Sequence, residues 1–212
     1  MAHLVKKTNA DILFPVHSSL IGEILKNKSL FGNTLDYCSD FSIYQILHNK
    51  NSLLSLAESI DLRVPKTYKS IKEAQFPFVG KPSDRSASEG VFYFFSEKDI
   101  IKYGPLCTDE YIFQEYINGF GCGYSLYAKE GEIQNAYGHK RIAEHPISGG
   151  SSIIRGPFMH KDMQTAVEKI LKKTNWTGFA MFEFKMTKEG EIVLIEVNPR
   201  IWGSINQGLQ NG

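Results

Sequence analysis

Two apolar segments near the C-terminus constrain the fold more than any other part of the sequence. The segments are FAMFEFK (179–185) and EIVLIEVN (191–198), and Lys188-Glu189-Gly190 lies between them. Apolar runs separated by a short glycine-containing turn are typical of a β-hairpin. The sequence therefore predicts a hairpin within a chain of mixed α and β pattern.

Two glutamates of this hairpin are predicted to face each other. If the loop is centred on Glu189-Gly190, Glu183 and Glu196 lie directly opposite each other, with Cβ atoms about 4.5–5.5 Å apart. A loop with an odd number of residues would break this pairing. Side chains alternate along a strand, so Glu196 and Asn198 point the same way, beside two apolar side chains, Ile192 and Leu194.

The facing glutamates suggest a metal site. Like charges in a partly buried setting are destabilising unless a cation neutralises them. Oxygen ligands from Glu183, Glu196 and the Asn198 carbonyl suit Mg²⁺, which water and nucleotide phosphates usually complete. The alternative is a solvent-facing hairpin whose glutamates splay apart.

Apolar spacing predicts the other elements. Helices are expected over 18–28, over 41–60 with a break at Asn49-Lys50-Asn51, and over 161–174. Residues Ser96–Asp99 resemble a capping box that opens a further, short helix. The last helix should turn its apolar residues inward: Met163, Ala166, Val167, Ile170 and Leu171. Strands are expected over 11–16, 76–82, 91–95 and 111–116, with a hairpin of 124–128 and 132–138 around Glu130-Gly131.

Charge and composition exclude several classes of protein. The formal net charge of +1 argues against a binder of nucleic acid or of anionic membranes. The longest apolar runs are strand-sized and far below the roughly 20 residues of a transmembrane helix. Three widely spaced cysteines fit reduced thiols in a cytoplasmic protein.

Several segments together resemble the ATP-grasp superfamily. The most specific is EVNPR (196–200), preceded thirteen positions earlier by Glu183, within FEFK…IEVNPRIWGS. QEYINGFGCGYS and HKRIAEHPISGGSS are similar to segments of ATP-grasp proteins that resemble the carbamoyl-phosphate synthase large subunit. The resemblance covers nearly the whole chain from about residue 11.

This resemblance implies an α+β fold in which two lobes clamp ATP. Residues 1–40 would be the tail of a preceding Rossmann-like domain, and 41–66 a helical connection. Residues 67–117 would form the smaller lobe, which carries a flap, and 118–212 the larger lobe, incomplete at its C-terminal end.

The resemblance also implies roles around the phosphates. Glu183, Glu196 and Asn198 would hold Mg²⁺ or Mn²⁺, and Arg200 would stabilise the transferring phosphoryl group. Lys81 and Lys50 would contact phosphates, and Lys81 would also be catalytic. Each lysine could instead be an ordinary surface residue. The flap would use Ser86, Ser88 and Gly90, although Asp84 and Arg85 stand where small residues are common.

The remaining implied sites concern the adenosine and the substrate. Glu115, Tyr116 and Ile117 resemble the hinge that reads adenine, although they could be an ordinary strand end. Many relatives carry a ribose-binding glutamate where this chain has Gly121, so ribose recognition must be weaker or come from elsewhere. Arg141 could face an anionic substrate or acyl phosphate, and further candidates are His139, Lys140, His145 and Arg155.

The implied function is an ATP- and Mg²⁺-dependent ligase. It would activate a carboxylate as an acyl phosphate for attack by an amine or similar nucleophile. The alternative is an ATP-binding module without turnover, or an inactive fragment of a larger ATP-grasp protein. Expected partners are small carboxylates and amines, and a second copy of the chain or a missing partner segment, but no nucleic acid and no membrane.

Overall fold

The structure is a computed structural model that describes residues 1–83, 90–145, 151–203, 205, 206 and 208. Its helices are α1 (Ala2–Thr8), α2 (Ser18–Lys26), α3 (Phe41–His48), α4 (Lys50–Glu58), α5 (Glu97–Tyr103) and α6 (Lys161–Thr174). Short 3-10 segments cover Lys28–Leu35 and Gly104–Leu106. Its strands are β1 (Thr67–Tyr68), β2 (Phe78–Pro82), β3 (Phe92–Phe94), β4 (Tyr111–Glu115), β5 (Gly119–Lys129), β6 (Glu132–His145), β7 (Ser151–Pro157), β8 (Gly178–Thr187) and β9 (Ile192–Asn198).

The strands form two antiparallel sheets. The first has the order β1-β4-β2-β3, and the second has the order β7-β6-β5-β8-β9. In the second sheet, β5–β6 and β8–β9 are the two predicted hairpins. The predicted α+β class is therefore confirmed.

The main core lies between one face of the five-stranded sheet and the helices. In β8 every second residue is buried, which puts Phe182 and Phe184 into this core. Helix α6 covers them with residues spaced three and four apart, as an amphipathic helix requires. All five predicted inward residues of α6 are buried: Met163, Ala166, Val167, Ile170 and Leu171.

The four-stranded sheet has a smaller aromatic core. Phe78 and Phe94 stack with ring centroids 4.5 Å apart, and Phe113 meets Phe78 edge-on at 6.2 Å. The capping box predicted at Ser96–Asp99 is present and begins α5. The sheet therefore has its own packed side, and its other side is available to the site.

The break between α3 and α4 has a local cause. The Asn49 side chain accepts a hydrogen bond from the Ser52 N–H at 3.1 Å, so Asn49 is the N-cap of α4. Lys50 is therefore the first residue of α4 rather than part of a loop.

One expected strand is absent, and one observed strand was not predicted. Residues 11–16 form no strand, and Ile12 and Phe14 are 53% and 45% exposed. Leu13 joins them to another segment, because its N–H donates to the Thr34 carbonyl and its carbonyl accepts from the Tyr37 hydroxyl. Conversely, HKRIAEH belongs to the long strand β6 and pairs with the unpredicted β7. The proposed domain boundaries, including the Rossmann-like tail over 1–40, stay predictions.

The buried face of β8 generates the first prediction. Phe182 is fully buried, so Phe182→Ala should lower the free energy of unfolding by about 3–5 kcal/mol, because it leaves a cavity. Phe95 is 58% exposed, so Phe95→Ala should cost well under about 1 kcal/mol. Urea denaturation measures both, and equal losses would contradict this description of the core.

Candidate functional site

The glutamates of the last hairpin lie opposite each other as predicted. Glu183 of β8 pairs with Glu196 of β9. The loop, however, has an odd length, because the Thr187 N–H bonds to the Glu191 carbonyl at 2.9 Å. The pairing survives because β9 carries an extra residue, Ile195, between the partners of Glu183 and Phe184.

This bulge corrects the prediction about which side chains share a face. Leu194 pairs with Phe184, and both belong to the main core rather than to the side that carries the carboxylates. Ile192 likewise packs against the core. The bulge therefore separates the apolar beginning of β9 from its polar end.

The two carboxylates share polar partners. The Asn198 amide nitrogen donates to Glu183 Oε1 and to Glu196 Oε1, each at 3.3 Å. The Arg141 guanidinium donates to Glu183 Oε2. The pKa of Glu183 is raised by burial, with the charge of Arg141 opposing the shift and that of Glu196 adding to it. The site thus concentrates negative charge and surrounds it with donors.

The predicted phosphate-binding lysines are buried. Lys81 in β2 is 8% exposed and Lys50 at the start of α4 is 7% exposed, so the surface alternative is wrong for both. Burial lowers the pKa of Lys81 to about 8; Glu196 and Glu183 oppose this shift, whereas Lys50 adds to it. Lys81 is therefore a desolvated cation close to the carboxylate pair.

The predicted hinge is held by an ion pair that the sequence did not reveal. Both carboxylate oxygens of Glu115 accept from Arg63 Nη2 at 2.9 Å, and one also accepts from the Lys66 N–H at 3.1 Å. The Tyr116 N–H donates to the Pro77 carbonyl at 3.2 Å. Hydrogen bonds among the described residues leave the Ile117 N–H without an acceptor, so it is the hinge donor available to a ligand.

These elements meet at one cavity between the two sheets. It is open to solvent and has an empty volume of about 900 Å³. Eight predicted residues line it: Lys50, Lys81, Glu115, Tyr116, Ile117, Arg141, Glu183 and Glu196. The sequence therefore identified most of the charged lining.

The sequence reasoning missed other lining residues, above all Glu144 and Lys185. Strand alternation would have found Lys185, because it lies two residues after Glu183 in β8. Glu144 gave no such signal, because irregular pairing between β6 and β7 brings it to Arg141, with Arg141 Nη1 and Glu144 Oε1 3.1 Å apart.

Arg200 and the flap residues are placed differently. Arg200 Nη2 donates to Asn198 Oδ1 at 3.4 Å, but its side chain lines a second cavity beside Tyr37 and Trp176. Its catalytic role stays a prediction. Gly90 has φ 74° and packs against Pro82 and Tyr111, where a Cβ atom would be crowded. Ser86 and Ser88 lie outside the described residues.

The HKR segment (139–141) contains a buried histidine, which lies near Arg141 of the same segment and Arg155 of β7. His139 is 4% exposed, and burial together with the charges of Arg155 and Arg141 lowers its pKa to about 4, so it is neutral at pH 7. Arg155 of β7 pairs with Arg141 across the sheet. Lys140 and His145 are exposed.

The donor set fits a hard cation that brings ligands of its own. No three histidine, cysteine, aspartate or glutamate side chains cluster as a metal site anywhere in the described part of the chain. Glu183 and Glu196 would supply two carboxylates, and water and phosphate oxygens commonly complete such a Mg²⁺ site. The Asn198 amide nitrogen, rather than its oxygen, faces both carboxylates, so Asn198 would have to turn to act as a ligand.

A search for membrane spans among the described residues finds no helix that is long and apolar enough to cross a bilayer.

The sequence matches one family model and one curated protein. A family model described as an ATP-grasp domain matches residues 47–204. A D-alanine–D-alanine ligase from Fusobacterium nucleatum is 24% identical over 168 residues, which are 72% of this chain and 56% of the ligase. The chain therefore spans little more than half the length of this curated relative.

Solved structures share the fold at low identity. Biotin carboxylase from Campylobacter jejuni, solved as a β-γ-ATP complex, has a TM-score of 0.82 at 15% identity, over 98% of this chain and 53% of that one. The biotin carboxylase domain of 2-oxoglutarate carboxylase from Hydrogenobacter thermophilus, solved with MgADP, ADP and bicarbonate, has a TM-score of 0.73 at 14% identity, over 97% and 51%. In both comparisons, the matched region is about half of the other protein's chain.

Burial of Lys81 generates a prediction about pH. Its folded-state pKa, about 8, lies below the ordinary value of 10.5, so the folded protein binds fewer protons between these values and gains stability as pH rises. Lys81→Met removes the buried charge. The variant should therefore have a larger free energy of unfolding than wild type near pH 7. This gap between the two free energies should be smaller by about 2 kcal/mol near pH 9.5.

Urea denaturation at the two pH values measures the gap. Lys129→Met, at an exposed strand end, is the control and should show no comparable shrinkage. A gap for Lys81→Met that does not change with pH would contradict the buried, desolvated state of this lysine.

Proposed function

The chain belongs to the ATP-grasp family, and from this we propose that it binds ATP with Mg²⁺ or Mn²⁺ and activates a carboxylate as an acyl phosphate. An amine or similar nucleophile would then displace the phosphate. One observation carries the proposal: the hinge, two buried lysines and a facing carboxylate pair line the same cavity. A nucleotide needs a base site, a phosphate site and a metal site in that proximity.

The hinge end of the cavity suits the adenine. The Ile117 N–H has no acceptor among the described residues, and the buried Ile117 side chain together with Val79 and Tyr116 provides apolar surface at the base end. The Arg63–Glu115 ion pair holds this backbone in place. Bound adenine would thus meet a fixed edge rather than a mobile loop.

The opposite end suits the triphosphate. Lys81 and Lys50 are buried cations whose charges would be compensated by phosphate oxygens. Glu183 and Glu196 would hold the divalent cation, with Asn198 as a further ligand after its amide turns. When bound, the cation would neutralise charge on the phosphoryl oxygens.

The proposed chemistry has two balanced steps. A carboxylate oxygen of the substrate bonds to the γ-phosphorus, and the bond from this phosphorus to the bridging oxygen breaks and releases ADP. The nucleophile then bonds to the acyl carbon, loses a proton, and expels inorganic phosphate. In this scheme the protein supplies position and charge, with Arg141 beside the acyl phosphate and Arg200 as a further cation.

We also propose more specific properties. The reaction would resemble that of carbamoyl-phosphate synthase, and the substrates would be a small carboxylate and an amine. The chain would assemble with a second copy or with a further segment. The location of the protein in the cytoplasm is proposed as well.

The competing function is nucleotide binding without turnover. It is favoured by Gly121, which leaves β5 without a side chain at the place where many relatives carry a ribose-binding glutamate. Release of ADP in the presence of pooled carboxylates and amines tests the two functions. Binding of ATP by the full-length protein with no ADP formed from any pool would reject the ligase and leave the binding module.

The metal and nucleotide generate a prediction about stability. At a hundred times its dissociation constant, Mg²⁺–ATP should stabilise the protein by about 2.7 kcal/mol. Glu196→Gln keeps the side-chain shape but removes one charge, so most of this gain should disappear. Denaturation with and without Mg²⁺–ATP measures it.

Glu189→Gln is the matched control, because Glu189 lies exposed in the loop of the same hairpin. It should keep the whole gain. If Glu196→Gln also keeps it, the assignment of the metal to the carboxylate pair is wrong.

A further inference from the structure

Glu144 places a partly used carboxylate inside the cavity. Its Oε1 accepts from Arg141 Nη1 at 3.1 Å, and the side chain is only 17% exposed. Among the described residues, no donor bonds to its Oε2. A carboxylate that is largely buried with one oxygen unused can accept a hydrogen bond from a ligand.

Gly121 provides the space in which this carboxylate lies. A Cβ atom at position 121 would stand 2.7 Å from Arg141 Cδ and 3.0 Å from Glu144 Oε1. Any side chain there would have to displace the Arg141–Glu144 pair. The Glu144 carboxylate can therefore occupy this position only because β5 has a glycine there.

Glu144 lies between the two ends of the cavity. On one side its charge contributes to the raised pKa of Tyr93, whose ring is 6.0 Å from that of Tyr116 at the hinge. On the other side Arg141 joins it to Glu183, because the same guanidinium bonds to both carboxylates. Glu144 and Tyr93 line the same cavity, and Arg141 joins Glu144 to Glu183 by hydrogen bonds. Glu144 therefore lies between the hinge side of the cavity and the carboxylate pair.

We propose that Glu144 Oε2 accepts a hydrogen bond from a ribose hydroxyl of the bound nucleotide and so selects ribonucleotides over deoxyribonucleotides. This inference rests on the proposed binding of ATP. In ATP the ribose joins the base to the triphosphate, so a base at the hinge and phosphates at the lysines bring its hydroxyl donors to the middle of the cavity. A carboxylate oxygen is the acceptor that matches such a donor.

Binding of ATP, 2′-deoxy-ATP and 3′-deoxy-ATP, each with Mg²⁺, tests the role of Glu144. Wild type should bind at least one deoxynucleotide about tenfold more weakly than ATP, the scale of a hydrogen bond to a charged group. In Glu144→Leu this ratio should fall close to one, because the acceptor is gone. The ratio isolates the hydroxyl contact, since a general structural defect would weaken all three nucleotides alike.

Two further variants make the result decisive. Glu132→Leu removes an exposed glutamate from the same strand and should keep the wild-type ratio. Glu144→Gln keeps the size and one acceptor, so its ratio should be intermediate, and it replaces Glu144→Leu if the latter does not fold. A wild-type ratio near one, or an unchanged ratio in the Glu144 variants, overturns the role of Glu144. Failure of wild type to bind any of the three nucleotides instead rejects the proposed function.

Discussion

The organisation of the site depends on one electrostatic constraint, the direct opposition of Glu183 and Glu196 on a largely buried sheet face. Two carboxylates at this separation repel strongly where water is excluded. Positive charges and N–H donors from separate elements lie around the pair and offset this repulsion. They come from Arg141 in β6, Asn198 in β9, Lys81 in β2 and Lys50 in α4. The cavity lies where these elements converge.

A row of glycines makes this convergence possible. Gly119, Gly121 and Gly123 are alternate residues of β5 and therefore share one face. Added Cβ atoms would collide with the Met186 carbonyl, with Arg141 and with the His139 ring, respectively. The bare middle strand lets long side chains from β6 reach across it towards β8. GFGCG therefore lies within a strand, where its glycines leave space for the side chains of β6.

Features set by local spacing were predictable from the sequence. The apolar periodicity of α6, the capping box at Ser96 and the two hairpins each depend on residues close together in the chain. Residues 11–16 were mispredicted because an apolar run carries no information about whether a partner strand exists.

Features that depend on distant segments were not predictable in this way. Lys81 looks like a strand-end lysine, and only the packing of α4 and the hairpin around it makes it buried. The Arg63–Glu115 ion pair joins residues fifty-two positions apart. Glu144 reaches the site through irregular strand pairing, which interrupts the simple alternation on which the sequence reasoning relied.

The bulge at Ile195 also has a consequence for how this strand can change in evolution. Without Ile195, Leu194 would still pair with Phe184, and Glu196 with Glu183, in an uninterrupted ladder. Loss of Leu194 would give the same ladder, with Ile195 in its place opposite Phe184. Loss of another residue between 192 and 198 would shift one part of β9 against β8 and turn side chains to the wrong face. In an alignment of related sequences, a gap within β9 therefore belongs at Leu194 or Ile195.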